Sequence, residues 1–421
     1  MNEYDSDRIT AALDAVVTDD PKRADVIIVN TCAIRDKADQ KAFSSLGKYK
    51  HIKAKNPDVI VGVAGCVAQL YGDSMLKRMP HLDFVLGPRA IPKLPEIISD
   101  IERKKIRTVE TSYDIEELFD VEPYHKAGEV TGFVSVQQGC NKRCTYCIVP
   151  YVRGDEVNRA LEDIITETEN LVNKGVREIT FIGQTVNSWK QKGYKFGDLL
   201  RAAGDIEDLE RIRFTTSYPR DITKRMIDAM KDVPQICPHI HLPVQSGSND
   251  VLSKMNRTYS REWFVDTVNR LRDEIADFAI STDIIVGFPG ETDKDFEETM
   301  TLLEEIRFES AFSFIYSPRP GTPAAEISGD ECVEKEVAST RLAQLQQRQS
   351  DITFENNNNR VGTIEEVLVE GPSKKNENFV TGRTTQNRIT NFMGPQALIG
   401  SVVKVKITEG LQNSIRGELV V

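Results

Sequence analysis

The stretch Gly139-Cys140-Asn141-Lys142-Arg143-Cys144-Thr145-Tyr146-Cys147 sets three thiols in a C-x3-C-x2-C spacing. A strand-like run, Phe133-Val134-Ser135-Val136, leads into it, and Gln137-Gln138-Gly139 turns out of that run. Thiolates so close in sequence can converge on one soft metal centre. Zinc would want a fourth nitrogen or sulfur ligand, but the next cysteine is Cys237 and the next histidine His239. Three ligands holding four irons leave one iron open, which suits a cluster that binds and cleaves a small molecule. The competing readings are three unrelated cysteines, or a zinc knuckle completed from afar.

With 421 residues the chain has room for two or three domains. No apolar run approaches the length needed to cross a bilayer, and Met1-Asn2-Glu3-Tyr4-Asp5 carries no signal-peptide pattern. The expectation is a cytoplasmic, reducing location, where the seven cysteines serve as ligands and core residues instead of disulfides. A net charge of −11 argues against a generally basic nucleic-acid binder but leaves room for local positive patches.

From Met1 to about Arg107, apolar runs alternate with helical patterns, which predicts an α/β domain with a parallel, doubly wound sheet. Strands are expected at 25–30, 59–64 and 84–87, and helices at 37–53 and 72–79. Cys32 and Cys66 each fall just past the carboxyl end of a strand, the edge where open α/β sheets bind ligands, so the two thiols can converge. Two buried structural cysteines would fit the spacing equally well.

After an acidic linker, Glu110 to His125, strands are expected at 133–137, 179–183, 211–215, 240–243, 281–286 and 312–316. Helices fill the gaps, notably 161–174, 223–231, 261–276 and 293–306, so a partial (β/α)6 barrel spans the central domain, residues 126–353. Its chemistry belongs at the carboxyl ends of the strands. There lie Gly183-Gln184-Thr185, Thr215-Thr216-Ser217, Pro243-Val244-Gln245-Ser246 and the run from Asp283 to Glu291, whose amide and hydroxyl groups suit a zwitterionic, nucleoside-bearing ligand. His239 and His241 share one face, with a core or pocket-lining role preferred to a metal role. Cys237 reads as structural, Cys332 as no substitute ligand, and Arg143, Arg153 and Arg159 as phosphate contacts or salt-bridged surface.

A helix is expected from about Val333 to Asn356, then short β runs at 366–370, 379–383, 389–392, 401–407 and 415–421, implying a small barrel over 355–421. From Glu355 onward eight Lys/Arg face seven Asp/Glu, so this module is near neutral in an acidic chain. Lys374, Lys375, Arg383, Arg388 and Phe392 are its candidate RNA contacts; a protein-docking or purely structural barrel is the alternative.

The cysteine run, with Tyr146 before its last cysteine, resembles the signature of the radical S-adenosylmethionine (SAM) superfamily. Asn2-Glu3-Tyr4-Asp5-Ser6, Asn30-Thr31-Cys32-Ala33-Ile34-Arg35 and Ala64-Gly65-Cys66-Val67-Ala68-Gln69 are similar to the amino-terminal domain of the radical SAM methylthiotransferases. Gly371-Pro372-Ser373-Lys374-Lys375 and Gly382-Arg383-Thr384-Thr385-Gln386-Asn387-Arg388 resemble the RNA-binding TRAM domain of the family's tRNA-modifying branch.

The resemblance implies a flavodoxin-like amino-terminal domain (1–107), a radical SAM barrel and a TRAM domain. It implies two [4Fe-4S] clusters, one at Cys140, Cys144 and Cys147 chelating SAM, with Tyr146 beside the adenine, and an auxiliary one at Cys32 and Cys66. The auxiliary cluster's third cysteine lies, in the family, two residues before the segment that opens here with Met1; an artificially short amino terminus is the expectation. Gln184, Ser217, Gln245 and Ser246 become the candidate SAM contacts. The implied activity converts N6-isopentenyladenosine at tRNA position 37 into its 2-methylthio derivative, with the anticodon stem-loop, an electron donor and a sulfur donor as partners and no membrane. Sister activities on threonylcarbamoyladenosine or on a ribosomal-protein aspartate stay open, as does an RNA-binding, SAM-cleaving remnant.

Overall fold

The structure, a computed structural model, describes residues 1–33, 36–113, 118–327, 331–374, 376 and 378–420. Helix α1 (Asn2–Leu13) precedes a four-stranded parallel sheet of β1 (Val26–Thr31), β2 (Ile60–Gly65), β3 (Phe84–Leu86) and β4 (Thr108–Glu110), in that spatial order. Every residue of β2 is buried, as a continuous apolar run should be when helices cover both faces of a parallel sheet. Val61 and Val63 pack with α2 (Asp36–Lys55) and α3 (Cys66–Tyr71), while Ile60 and Ala64 pack with α1 and with Ile97, Ile98 and Ile101 of α5 (Leu94–Lys104); α4 is Asp73–Arg78. Strand β4 runs past the expected boundary at 107 and takes Glu110 out of the expected linker. With only three half-buried residues, it is too short to leave a periodic signal.

The central domain has six parallel strands: β5 (Thr131–Ser135), β6 (Glu178–Ile182), β7 (Arg211–Phe214), β8 (His239–His241), β9 (Ala279–Val286) and β10 (Ser310–Ile315). They form two three-stranded sheets joined by a parallel bridge between Ile212 and Ile236, leaving β5 and β10 as free edges of an open barrel. Helices α7 (Leu161–Asn173), α8 (Phe196–Gly204), α9 (Lys224–Asp232), α11 (Arg261–Glu274) and α12 (Asp293–Ile306) contribute to its outer core. Between these lie the short α6 (Val149–Arg153) and α10 (Asn249–Lys254). Along each strand, residues such as Ile179, Ile212, Ile240 and Ile284 point outward to the helices, so their polar neighbours face the lumen.

Helix α13 (Lys335–Asn358) packs Leu345 and Ile352 into the barrel core and leads to a closed five-stranded barrel: β11 (Ile364–Pro372), β12 (Phe379–Thr384), β13 (Ile389–Met393), β14 (Val402–Gly410) and β15 (Ile415–Leu419). This small barrel docks at the amino ends of the central strands. Arg211, which opens β7, donates to the carbonyls of Arg383 (2.6 Å) and Glu366 (2.9 Å). Arg213 donates to those of Thr384 (2.7 Å) and Thr385 (3.0 Å) and pairs with Glu178, which opens β6, at 2.9 Å. Asp277 holds Arg360 and Gln386, each at 2.7 Å, and Glu309 holds Arg388 at 2.6 Å. Among the described residues no helix is long and apolar enough to cross a membrane.

Candidate active site

At the carboxyl ends of the strands lies a cavity of about 420 Å³ bordered by Cys32, Cys66, Cys140, Cys144 and Cys147 together. Two domains build it. Cys66 opens α3 directly after β2, and Cys32 follows β1. Gly65 makes their proximity possible: its φ is +92°, and a Cβ there would lie 2.4 Å from the Thr31 carbonyl. Gly139 does the same for the three-cysteine loop, with φ +79° and no room for a Cβ against the Asp155 carbonyl.

Two glutamines lock that loop to the next strand end. The Gln184 Oε1 accepts from the Gly139 N–H at 2.7 Å, and the Gln137 Oε1 accepts from the Gln184 and Thr185 N–H groups at 2.9 and 3.2 Å. Cys140 Sγ lies 3.3 Å from Thr185 Oγ1, and Arg257 Nη1 donates to Cys144 Sγ at 3.4 Å. Arg257 is fixed by the Pro243 carbonyl (2.9 Å), the Tyr259 hydroxyl (2.7 Å) and the face of Tyr218 (4.6 Å). Burial, reinforced by the neighbouring Cys144, pushes the Cys147 thiol up to about 12; burial likewise raises Cys140 and Cys66. Burial outweighs the pull of Arg153 on Cys66 and of Arg257 on Cys147, so these thiols resist ionisation, and a cationic iron group is what would reverse that. Among the described residues no three His, Cys, Asp or Glu groups are gathered as a single-ion site.

The ligand side of the cavity is equally open. Ser217 Oγ and Gln245 Oε1 are buried without a hydrogen-bond partner, and both residues line it. Thr216 and Gln245, also lining residues, hold φ at 66° and 77°, a left-handed conformation rare for side-chain-bearing residues and common at functional sites. Tyr146 lines the cavity and rests on the apolar group of Val251, Met255 and Phe288; burial raises its pKa well above the ordinary tyrosine value. These residues fit a SAM-chelating iron–sulfur group.

Residues 134–303 match the Radical SAM superfamily, residues 359–420 the TRAM domain, and residues 1–87 Uncharacterized protein family UPF0004. The tRNA-2-methylthio-N(6)-dimethylallyladenosine synthase of Aromatoleum aromaticum is 44% identical over 431 residues, covering 100% of this chain and 96% of the relative. The enzyme of that name from Francisella tularensis subsp. holarctica is 45% identical over 429 residues, covering 100% and 97%. The chain belongs to the tRNA-2-methylthio-N(6)-dimethylallyladenosine synthase family. Among solved structures, the radical SAM methyltransferase TsrM of Kitasatospora setae superposes with a TM-score of 0.58 at 16% identity, over 76% of this chain and 74% of that one, a likeness of fold alone. An iron–sulfur cluster and SAM are accordingly cofactors of this chain.

Within this family framework several expected residues take other places. Gln184 lines the cavity, but its carbonyl oxygen is committed to the cysteine loop. Ser246 is not among the residues lining the cavity; its Oγ sits 3.3 Å from Thr299 Oγ1 and accepts from the Ser248 N–H, so it shapes the turn. Arg153 and Arg159 are buried and cannot meet phosphate: Arg153 pairs with Asp5 and the Cys66 thiol, Arg159 with Glu167. Arg143 stays exposed beside Asp155 at 3.2 Å. His239 and His241 share Ser281 as partner at 3.3 and 3.0 Å and do not border the cavity. Cys237 is buried away from it, and Cys332 is exposed.

In the small barrel, Phe392 is fully buried with Val380 and Ile415, because strand alternation turns it inward. Arg388 is tied to Glu309 in the docking seam, and Arg383 pairs with Glu370 at 3.3 Å while keeping partial exposure. Lys374 is exposed; Lys375 lies outside the described residues. Arg257 lines the cavity without having been singled out from sequence, whereas Thr185, Lys142 and Asp283, which also line it, lie within the strand-end and cysteine motifs without having been named individually as site residues. For Arg257 a signal existed, a lone arginine in Met255-Asn256-Arg257-Thr258-Tyr259, but nothing local ties it to Cys144, 113 residues away.

Proposed function

We propose that this protein converts N6-isopentenyladenosine at position 37 of tRNA into 2-methylthio-N6-isopentenyladenosine in the cytoplasm. The observation that carries the reading is the convergence of Cys32 and Cys66 from one domain with Cys140, Cys144 and Cys147 from another on a single cavity. Residues 1–107 would hold sulfur, residues 126–353 would cleave SAM, and residues 355–421 would hold the RNA. Cys140, Cys144 and Cys147 would ligate one [4Fe-4S] cluster, and Cys32 and Cys66 an auxiliary one. Met1 borders the same cavity as Cys32 and Cys66. When bound, these groups supply one-electron cleavage of SAM, hydrogen abstraction at an aromatic carbon too weakly acidic for any side-chain base, and a transferable sulfur.

The chain's own residues position and shield. Gln184 and Gln137 hold the cysteine loop against the second strand end, and Arg257 places a fixed positive charge on Cys144. Ser217 Oγ and Gln245 Oε1 offer polar contacts to SAM from otherwise dry surroundings, while Tyr146 provides a ring face for its adenine. Lys374, in the turn after β11, with Lys375 beside it in sequence, and the partly exposed Arg383 on β12 would meet RNA phosphates. An electron-donor protein and a sulfur-donor protein complete the set of partners.

Nucleoside analysis of tRNA from cells lacking the gene tests the proposal. The 2-methylthio-isopentenyl nucleoside should vanish and unmethylthiolated isopentenyladenosine accumulate. Unchanged methylthio-isopentenyladenosine would overturn the reading, and loss confined to the threonylcarbamoyl nucleoside would point to the sister activity.

A further inference from the structure

The edge strand β10 carries a feature the cofactor cavity does not use. Phe312 sits in the middle of that strand and is 54% exposed. It pairs in parallel register with Asp283 of β9, and Asp283 lines the cavity. Registered neighbours on adjacent strands project to the same side of a sheet. Ala311 and Ile315 lean outward onto the helix-covered core, so Phe312, between them, turns to the lumen. Its ring meets His241 edge to face at 5.9 Å and 70°. His241 is itself held by Ser281 Oγ at 3.0 Å and by Asp283 Oδ2 at 3.4 Å. One side of the Phe312 ring is thereby fixed and the other is exposed, on the strand next to Asp283, which lines the cavity.

We propose that Phe312, backed by His241, is the contact for the branched apolar N6 substituent of the target adenosine and selects prenylated over unprenylated RNA. The proposal rests on the reading of the substrate given above. An isolated exposed phenylalanine ordinarily needs no explanation. This one stands among the polar groups His239, His241, Ser281, Asp283 and Ser310, with Phe314 two residues further along the same face, where β10, a barrel edge, leaves the lumen open from the side. An adenosine whose ring reaches the cavity past Asp283 would carry its N6 tail alongside the registered neighbour of Asp283. An apolar tail there removes the exposed ring face from water. A threonylcarbamoyl group at the same place would press a carboxylate and hydroxyl onto an aromatic face that offers no hydrogen bond.

The test measures binding of the full-length, cluster-loaded protein to two anticodon stem-loop RNAs differing only in the N6-isopentenyl group of the target adenosine. The wild type should bind the prenylated RNA about tenfold or more tightly than the plain one. Phe312→Ala should lose that preference by weakening only the prenylated complex, and Phe312→Leu should keep part of it; circular dichroism melts confirm that both variants fold. Equal weakening of both RNAs, or an intact preference in Phe312→Ala, overturns the assignment. A wild type with no preference for the prenylated RNA fails earlier, and sinks the substrate reading together with the role of Phe312.

Discussion

At the amino ends of the central strands, Arg211, Arg213, Glu178, Asp277 and Glu309 all take partners, most of them across the seam with the small barrel. At the carboxyl ends of the same strands, Ser217 Oγ and Gln245 Oε1 are buried without a partner in the chain, and thiols from two domains border one cavity. An unsatisfied buried polar group costs about 1–3 kcal/mol, so a fold keeps such groups where a ligand will satisfy them. One rim is therefore mortar and the other is a receptor, although both are rich in polar residues. The closed rim too keeps some buried atoms without a hydrogen bond, Gln386 Oε1 and Arg388 Nε among them, but its charges meet each other in ion pairs, whereas the unpaired atoms of the open rim belong to residues that line a cavity.

Replacing a thiol on the open rim should have the largest effect. Cys144→Ala is expected to remove about four irons per chain, one cluster's worth, and to bring SAM cleavage to background. Iron and sulfide content together with 5′-deoxyadenosine release report this, and circular dichroism should show little change in the fold. Full iron content in the variant would place the cluster elsewhere and dissolve the contrast between the rims.

The closed rim should respond in the opposite sense. Arg213→Met leaves Glu178 buried without its cation and strands the Thr384 and Thr385 carbonyls. Breaking such a buried pair costs about 3–5 kcal/mol. Denaturant midpoints should fall accordingly, while iron per folded molecule stays at the wild-type value. Removing both charges, Arg213→Met with Glu178→Leu, should recover part of the loss. A variant of normal stability but low iron would mean that this seam serves the cavity after all.

The open rim was far more legible in the sequence than the closed one. Cys140, Cys144 and Cys147 lie within eight residues, and buried parallel strands such as Ile60–Gly65 announce themselves as unbroken apolar runs. The turns that end those strands could be read as a ligand edge because parallel α/β folds place function there. Pairings of charge could not be read, since Arg153 meets Asp5 across 148 residues and Arg211 meets the Arg383 carbonyl across 172. Arg153 looked like a surface cation for this reason and is a buried partner; Arg159 is buried too, on Glu167 eight residues away, and Arg388 is half-buried on Glu309. Phe392 misled differently: on a strand only the register decides which face an aromatic takes, and here it closes the barrel core. Ser246 stands one residue from Gln245, yet that single step turns it from the cavity to α12.

Between the two rims lies a mild case, on α1. Asp7 is half-buried near Glu3 and Glu129, and burial first, then those two carboxylates, raise its pKa to about 6 against the weaker pull of the Met1 amine. The folded state thus binds this proton more tightly than the unfolded chain, whose aspartate titrates near 3.9. By linkage, the stability Asp7 contributes is complete below about pH 4 and is lost as pH rises through about 6. Asp7→Asn removes the ionisable group and should leave the protein more stable than wild type at pH 7 by about 1 kcal/mol, a modest figure because solvent screens a half-exposed group. At pH 4 the gain should disappear. Thermal melts of both proteins across that range measure it; an equal gain at both ends would assign the effect to packing or helix propensity. A gain confined to neutral pH would identify α1 as a place where charge is neither spent within the chain nor reserved for a ligand, only tolerated, and so mark the boundary between the two rims.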